Sequence, residues 1–269
     1  MLGGILRASL YSISRGGALL TEKTGGLPVP ETNFETPIAR KLGAFLALTA
    51  EEHRQLASLQ AKPVKVKRGK QLVREGETGQ NVYVLLSGWA CSYKDLPDGR
   101  RQIISFPVAG DCVGLRSALL KTADHSLAAL TDAVVSSVDG PRMLQTFNEF
   151  PRLGTAILWA ASRDEAMVVE HLVSIGCRSA IGRTAHFFME LAERLTLIGQ
   201  ATAREFRCPL SQYVLADALG LSAIHVNRVL RQLRERELLT LRGSKVTIHD
   251  LNGLRKVSGF RGGYLNSRD

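Results

Sequence analysis

The residues best suited to a chemical task lie between Gln212 and Arg231, in the stretch QYVLADALGLSAIHVNRVLR. Apolar and small residues recur within it at positions where two helices that cross at a tight turn must touch. These positions are Leu215, Ala216, Leu219, Leu221, Val226 and Val229. Gly220 suits a turn with a left-handed backbone, and Ser222 can cap the second helix. The spacing therefore predicts a helix-turn-helix.

With that core turned inward, the second helix exposes a set of side chains near its N-terminus. The exposed set is Ala223, Ile224, His225, Asn227, Arg228 and Arg231. Such residues reach base edges when a recognition helix enters the major groove of DNA. Arg228 can form two hydrogen bonds with guanine O6 and N7, and Asn227 can form two with adenine N6 and N7. His225 can reach a base or a phosphate, so the set predicts sequence recognition in double-stranded DNA.

Neighbouring residues are suited to the phosphate backbone. Ser211 precedes the first helix, where a hydroxyl and free backbone N–H groups can bind a phosphate. The segment LLTLRGSKVTIHD (Leu238–Asp250) predicts a β-hairpin wing that turns at Gly243–Ser244 and directs basic side chains to the DNA. The predicted DNA-binding residues are Ser211, Ser222, Ala223, Ile224, His225, Asn227, Arg228, Arg231, Arg242 and Lys245.

The charge distribution favours DNA binding over the alternative, an ordinary helical hairpin whose charges are merely solvated. The chain carries a formal net charge of +10, and basic residues outnumber acidic ones two to one from Thr202 onward. A basic surface attracts polyanions such as nucleic acid. We therefore predict that the basic C-terminal quarter is the part that meets DNA.

Composition and cysteine spacing exclude several other classes of protein. The hydrophobic fraction of 45% is that of a globular chain with a real core. No apolar run approaches the ~20 residues that span a bilayer, so we expect no membrane partner. Reading the four cysteines as reduced thiols, we expect a cytoplasmic location. The cysteines Cys91, Cys112, Cys177 and Cys208 lie far apart with no metal-binding spacing. No metal or cofactor is predicted.

Two regions precede the helix-turn-helix and must position it. From Val64 to Val138, short Val-, Ile-, Tyr- and Leu-rich segments alternate with glycines about every ten residues, which predicts a compact β-roll. A long helix then follows from about Arg152 to Ile175. An apolar stripe along it consists of Leu158, Ala161, Val168, Leu172 and Ile175. The stripe predicts pairing with a second copy of the helix in a homodimer, or alternatively packing on its own roll.

The order of these parts resembles the Crp/Fnr family of bacterial regulators. GKQLVREGETGQNVYVLLSGWA (Gly69–Ala90) is similar to the family's cyclic-nucleotide-binding-type roll, and GDCVG (Gly110–Gly114) resembles the start of its effector loop. LGLSAIHVNRVLRQLRERELL (Leu219–Leu239) is similar to the family's helix-turn-helix. The resemblance implies a dimer joined by the long helix, a palindromic operator, and RNA polymerase as a further partner.

Two departures from the family pattern bear on the effector. Members that bind cyclic AMP carry an Arg-Ser pair after the effector loop, whereas this chain has Ala123-Asp124-His125-Ser126. Asp124 would repel a phosphate, so cyclic AMP is not expected. Members with an iron–sulfur cluster need N-terminal cysteines, and none precedes Cys91. By position, the candidate effector-loop residues are Gly110, Asp111, Gly114, His125 and Ser126, and the effector stays unassigned.

The recognition helix also departs from the cyclic-AMP group, which carries an Arg-Glu pair where this chain has Ala223 and Ile224. We therefore expect a different operator, with Ile224 contacting a thymine methyl group.

These inferences give an α+β chain with a β-roll, a long dimerisation helix and a C-terminal winged helix-turn-helix. The predicted boundaries are a flexible extension at 1–37, the roll at 38–150, the dimerisation helix at 151–178, the DNA-binding domain at 179–253 and a tail at 254–269. One alternative is a small-molecule sensor whose DNA binding depends strictly on its ligand. Another is a metal-dependent barrel enzyme, but the histidines lack the paired spacing of such a site, so no enzymatic activity is predicted.

Overall fold

The computed structural model describes residues 35–79, 81–116, 120 and 122–265. The flexible extension predicted for residues 1–37 lies outside this part, apart from its last three residues, which lead into the first helix. The helices are α1 (Pro37–Gly43), α2 (Ala50–Leu59), α3 (Gly140–Glu149), α4 (Pro151–Cys177), α5 (Ala180–Leu197), α6 (Gln212–Leu219), α7 (Ala223–Glu235) and α8 (Leu251–Ser258).

The strands fall into an N-terminal and a C-terminal group. The first group is β1 (Pro63–Val66), β2 (Gln71–Val73), β3 (Val82–Ser87), β4 (Ala90–Asp95), β5 (Arg101–Ser105), β6 (Cys112–Val113), β7 (Ser126–Ala129) and β8 (Ala133–Val138). The second is β9 (Glu205–Arg207), β10 (Leu239–Arg242) and β11 (Lys245–Ile248).

The N-terminal strands form two four-stranded antiparallel sheets, in the orders β1-β8-β3-β6 and β2-β7-β4-β5. Val82, Val84 and Leu85 are almost fully buried, since β3 lies inside its sheet and its side chains meet apolar residues. The hairpin between β4 and β5 turns where Gly99 adopts a positive φ of 81°, as the Pro97–Gly99 sequence predicts. The β-roll is confirmed.

Helix α4 lies against the roll with one face only. Leu153, Ala156 and Ile157 on that face are buried in the same apolar cluster as Ile38 and Leu42 of α1. The N-terminal helices therefore close the roll on the side where α4 begins.

The C-terminal domain is built around α5, whose Phe188, Leu191 and Leu195 are almost fully buried. The wing is a three-stranded antiparallel sheet in the order β10-β11-β9, one strand more than the predicted hairpin. The boundary predicted at residue 254, between the DNA-binding domain and a C-terminal tail, does not coincide with the end of the folded domain. Helix α8 runs across that point, and Leu254 and Leu265 are buried in the core of the domain.

One continuous apolar core joins the roll to the C-terminal domain. Trp89, Tyr93 and Phe106 of the roll belong to the same cluster as the buried residues of α5. The rings of Phe106 and Phe187 meet edge to face, with centroids 5.6 Å apart. Within the described residues, the C-terminal domain is therefore packed directly on the roll.

The close approach of α1 to the roll requires a glycine at position 110. Gly110 is buried with a φ of +88°, and an added Cβ would lie 2.7 Å from the backbone carbon of Pro37. Gly99 offers a matched comparison, because its φ is +81° but an added Cβ would meet nothing within 4 Å.

We predict that Gly110→Ala lowers the free energy of unfolding by about 3 kcal/mol or more, because backbone strain and a backbone clash add. Gly99→Ala should cost only ~1 kcal/mol, since strain acts alone. Urea unfolding of both variants measures the difference. Equal losses would show that the contact with Pro37 is unimportant.

Candidate nucleic-acid interface

The helix-turn-helix is formed by α6 and α7. Helix α6 ends at Gly220 in the left-handed region, with φ 61° and ψ 40°, and the N–H of Leu221 donates to the carbonyl of Ala216 at 3.1 Å. The hydroxyl of Ser222 then accepts the N–H of His225 at 3.2 Å and caps α7. Leu215 and Val226 are fully buried between the two helices.

The N-terminal half of α7 presents an exposed row. Ile224 is 76% exposed, and His225, Asn227 and Arg228 are exposed beside it. No hydrogen bond or ion pair joins Arg228 to another described residue, so its guanidinium donors point to solvent. Ala223 differs from our expectation. It is half-buried and packs on the apolar core, because it lies where α7 turns in toward its own domain.

Asn227 has an intramolecular partner that the sequence analysis missed. The amide of Gln212, the first residue of α6, donates to Oδ1 of Asn227, and the Asn227 amide donates back to Oε1 of Gln212. The fifteen-residue separation gives no local signal of this pair, since it depends on the crossing angle of the helices. The residue predicted to read adenine is thus already hydrogen-bonded.

The predicted phosphate-binding residues on the helices have mixed surroundings. Ser211 is exposed, and its hydroxyl accepts the N–H of Val214 at 3.3 Å, so it caps α6 as expected. Tyr213 beside it is 77% exposed and was not foreseen. Arg231 donates to Glu235 at 2.7 Å, and this hydrogen bond raises the pKa of Arg231. A phosphate would compete with Glu235 for that guanidinium.

The wing turns at Gly243 and Ser244, which have φ of 56° and 61°, so the predicted turn is confirmed. Arg242 is exposed beside it. Lys245 is exposed as well, but its Nζ lies 2.9 Å from Glu205 of the additional strand β9. The hydrogen bond from Lys245, with its charge, lowers the pKa of Glu205. Lys245 is therefore a paired cation in this chain, a partner that the sequence did not reveal.

Asp111, a candidate effector-loop residue, is a buried structural ion. Its carboxylate lies 2.8 Å from Nζ of Lys41 on α1 and 3.2 Å from Nη2 of Arg194 on α5, and it accepts the N–H of Val108. Burial would raise the pKa of Asp111, but the charges of Lys41 and Arg194 hold it below its usual value. Both of its oxygens are engaged in contacts that hold the fold together, and the effector role of Asp111 stays a prediction.

The other candidate effector residues have separate surroundings. Gly114 has a φ of +80° and packs on the carbonyl of Asn81. His125 is half-buried with Nδ1 2.8 Å from Asp124, which also accepts from Arg116 at 2.6 Å. Ser126 is buried, and its hydroxyl accepts the N–H of Glu75. Among the residues that the structure describes, these three and Gly110, which packs on α1, share no common partner.

The predicted dimer stripe on α4 is largely exposed. Leu158 is 63% and Leu172 is 71% exposed, Val168 is also exposed, and Ala161 is half-buried. Val169 and Val173 extend the exposed apolar surface and were not predicted. Since the opposite face of the helix covers the roll, the other described residues leave most of this stripe exposed.

Ile175, the last residue of the predicted stripe, lies at a junction between α4 and the helix-turn-helix. It lines a small, open cavity of about 20 Å³ where β5, α4, α5 and α6 meet. Arg183 of α5 donates to the carbonyls of Ser174 and Ile175 at 2.9 and 2.8 Å, and also to the carbonyl of Leu219. One guanidinium therefore ties the end of α4 to the end of α6.

His171 lies on the wall of the same cavity and contacts two other elements. Its Nδ1 is 3.1 Å from the carbonyl of Ile104, and its Nε2 is 3.0 Å from the carboxylate of Glu190. Burial would lower the pKa of His171, but the charge of Glu190 raises it above the usual value. Both neighbours are acceptors, which suits an imidazolium that donates from both nitrogens.

The described residues fix the surroundings of the metal-ligating side chains and of the cysteines, of which Cys177 is exposed. No group of three His, Cys, Asp or Glu side chains among them is arranged to hold a metal ion. Burial raises the pKa of Cys91 to about 11 and that of Cys208 to about 12, so these thiols stay protonated. In the part of the chain that is described, no helix is long and apolar enough to cross a membrane.

The fold and the exposed row on α7 define a class of protein. A winged helix-turn-helix with an outward-facing recognition helix binds DNA. Here it is packed on a β-roll and preceded by a long helix, the arrangement of a regulator with a sensor-type domain.

Comparison with known proteins agrees with this class. Residues 63–150 match the cyclic nucleotide-binding domain, and residues 182–257 match the Crp-like helix-turn-helix domain. The nitrogen fixation regulation protein FixK of Rhizobium meliloti is 30% identical over 181 residues, which are 66% of this chain and 78% of that protein. This chain belongs to the Crp/Fnr family of DNA-binding transcription regulators.

Further relatives show the same architecture. The anaerobic regulatory protein of Haemophilus influenzae is 28% identical over 79% of this chain and 82% of its own length. The structure of FixK2 from Bradyrhizobium japonicum superposes with a TM-score of 0.67 at 24% identity, covering 74% of this chain and 98% of that one. A CRP-family regulator of Thermus thermophilus gives 0.59 at 22% identity, covering 76% and 100% of the two chains. The predicted fold class and family are confirmed.

The buried ion cluster around Asp111 yields a stability prediction. Asp111→Asn removes the carboxylate that Lys41 and Arg194 share, and leaves Lys41 only Asp164 at 3.5 Å and Arg194 only Glu190 at 3.8 Å. We therefore expect a loss of about 3 kcal/mol in the free energy of unfolding. Asp132→Asn is the control, because Asp132 pairs with Lys67 at the surface and its loss should barely move the urea midpoint.

The pH dependence gives a second readout of the same variant. Because the pKa of Asp111 is lowered in the folded chain, its stabilisation is present above the unfolded pKa and is lost as pH falls through the folded value. Asp111→Asn should remove that part of the acid sensitivity. If stability and acid sensitivity both match the wild type, the cluster does not hold the fold together.

Proposed function

We propose that this chain acts as a homodimer that binds a palindromic operator through α7, with Asn227 and Arg228 reading base edges and Ile224 contacting a thymine methyl group. The proposal rests on one observation. The exposed row on α7 lies opposite Leu215 and Val226, which are fully buried between α6 and α7. The proposal needs no catalysis and no cofactor. RNA polymerase, a partner of this family, is the expected recipient of the regulatory signal.

The surroundings of α7 support its placement in a groove. Helix α6 begins directly after the Ser211 cap, and because the first N–H groups of a helix lack intrahelical partners, a phosphate can bind there. Arg242 lies at the wing turn, where it can contact the backbone of the duplex. These anchors flank the row on α7, so phosphate contacts can orient the helix while its own residues select bases.

The homodimer rests on the exposed stripe of α4. Fully burying one Leu side chain contributes ~1.5–3 kcal/mol, and twofold pairing would bury Leu158 and Leu172 from each copy. Helix α4 is 27 residues long, enough for a coiled-coil contact over several turns. Two recognition helices related by a twofold axis then match a palindrome.

An effector of unassigned chemistry remains part of the proposal. Gln102 of β5 donates to the carbonyl of Ala218 in α6 at 3.3 Å, so the roll touches the helix-turn-helix directly. A ligand that moved β5 would change this contact, and ligand-dependent DNA binding is the resulting alternative. Comparing operator affinity with and without candidate ligands separates it from constitutive binding.

We predict that Arg228→Ala removes the preference for one base pair in each half-site and costs ~1–3 kcal/mol per contact on operator DNA. Binding to random duplex should change little, because a base contact is lost rather than a phosphate contact. The control is Arg234→Ala, an exposed arginine on the same helix that should weaken both duplexes equally. Equal losses for Arg228→Ala would contradict a base-reading role.

Leu172→Glu is predicted to shift the chain from dimer to monomer, because two carboxylates would face each other in the paired α4 helices. Sedimentation measures the association, and operator affinity should fall with it. Leu144→Glu makes the same change at another exposed leucine, on α3, and should leave the dimer intact. A Leu172→Glu chain that remains fully dimeric would rule out this interface.

A further inference from the structure

The reciprocal amide pair of Gln212 and Asn227 occupies the part of Asn227 that a base would need. Each amide donates one N–H to the oxygen of the other, so the pair forms a closed ring of two hydrogen bonds. A primary amide has one edge that carries both its oxygen and an N–H on the same side. Gln212 is bound to that edge of Asn227.

Adenine is recognised through the same edge. Its N6 amino group donates to the Asn oxygen while its N7 accepts from the Asn N–H. Guanine offers two acceptors at the corresponding positions, thymine offers an acceptor and a methyl group, and cytosine offers a donor. Only adenine can therefore replace both hydrogen bonds that Gln212 supplies, and reading it requires the pair to open.

The pair also changes what happens at an unsuitable base. Without Gln212, the Asn227 amide would face the edge of a base other than adenine. It would lose its hydrogen bonds to water without gaining new ones, which is unfavourable. With Gln212 beside it, Asn227 keeps both hydrogen bonds and meets the groove as a satisfied group. Gln212 thereby lowers the free-energy cost of binding a duplex with a base other than adenine at this position, and it does not strengthen binding when the base is adenine.

We infer that Gln212 is a specificity-determining residue that broadens the operator choice of this chain, by giving Asn227 an alternative partner wherever the facing base is not adenine. The inference rests on the proposed base reading by Asn227 and adds a second residue to it. Gln212 belongs to α6, so a residue outside the recognition helix sets how strictly that helix reads.

The position of Gln212 keeps this partner available on DNA. It is the first residue of α6, directly after the Ser211 cap, where the phosphate contact is proposed. A phosphate held there would fix the start of α6 and thus the Gln212 backbone beside Asn227. Both side chains are exposed in the free chain, so the pair is weak enough for adenine to displace it.

The test uses the full-length chain and duplexes selected by it from a randomised library. The position read by Asn227 is found as the base pair whose preference disappears in Asn227→Ala. Each of the four base pairs is then placed there, and the affinity ratio of adenine to the best other base is measured. Gln212→Ala and Gln212→Leu should each raise this ratio by roughly fivefold or more.

Two controls isolate the amide pair. Gln212→Ala in the Asn227→Ala background should leave the ratio unchanged, because no amide remains to be relieved. Gln232→Ala removes an exposed glutamine from the far end of α7 and should also leave it unchanged. Contacts of Gln212 with phosphate alter all four duplexes alike and cancel in the ratio.

The outcomes separate this inference from the proposed function. A raised ratio in both Gln212 variants, absent in the double variant, supports it. An unchanged or lowered ratio, with Asn227→Ala still losing discrimination, overturns the role of Gln212 and leaves base reading by Asn227 in place. If Asn227→Ala keeps every base preference of the wild type, both the reading by Asn227 and this inference fail.

Discussion

The buried ion cluster centred on Asp111 fixes the relation between the parts of this chain. A buried carboxylate is costly unless positive charge and hydrogen bonds surround it, and Lys41, Arg194 and the N–H of Val108 supply both. Lys41 comes from α1 and Arg194 from α5, so the roll, its helical cover and the DNA-binding domain must meet at one point. The apolar core that runs from the roll into α5 then follows the same arrangement. In this structure the DNA-binding domain is therefore held against the roll by both apolar and ionic contacts.

The DNA-facing surface depends on that arrangement in a second way. Helix α7 packs on α6 through Leu215 and Val226, and α6 in turn contacts β5 through the hydrogen bond from Gln102. The exposed row is therefore held mainly by packing from behind, and the amide pair of Asn227 with Gln212 adds a polar contact between the two helices. Arg228, with no partner among the described residues, retains its full hydrogen-bonding capacity for a base. Asn227 does not, and this difference between neighbouring residues gives the two separate roles in recognition.

Periodic features were predictable from the sequence, and long-range pairings were not. The helix-turn-helix, its glycine turn, the roll and the long helix follow from local spacing, because each repeats an apolar pattern within a few turns or strands. Gln212 with Asn227 and Lys245 with Glu205 could not be predicted, since each pair joins residues that only the folded backbone brings together. The buried ion pairs of Asp111 were missed for a related reason. Its loop resembles an effector loop in sequence, but α1 and α5 supply counterions that local sequence does not reveal.

The guanidinium of Arg183 has a mechanical consequence. It is planar and rigid, and it holds the last carbonyls of α4 together with the final carbonyl of α6. Because these hydrogen bonds fix the end of α4 relative to the end of α6, a tilt of one helix would be transmitted to the other. In a dimer paired along α4, a change in the angle between the two long helices would change the distance between the two copies of α7. The spacing of the two recognition helices would then be set by the angle between the two α4 helices, at a distance from the bases themselves.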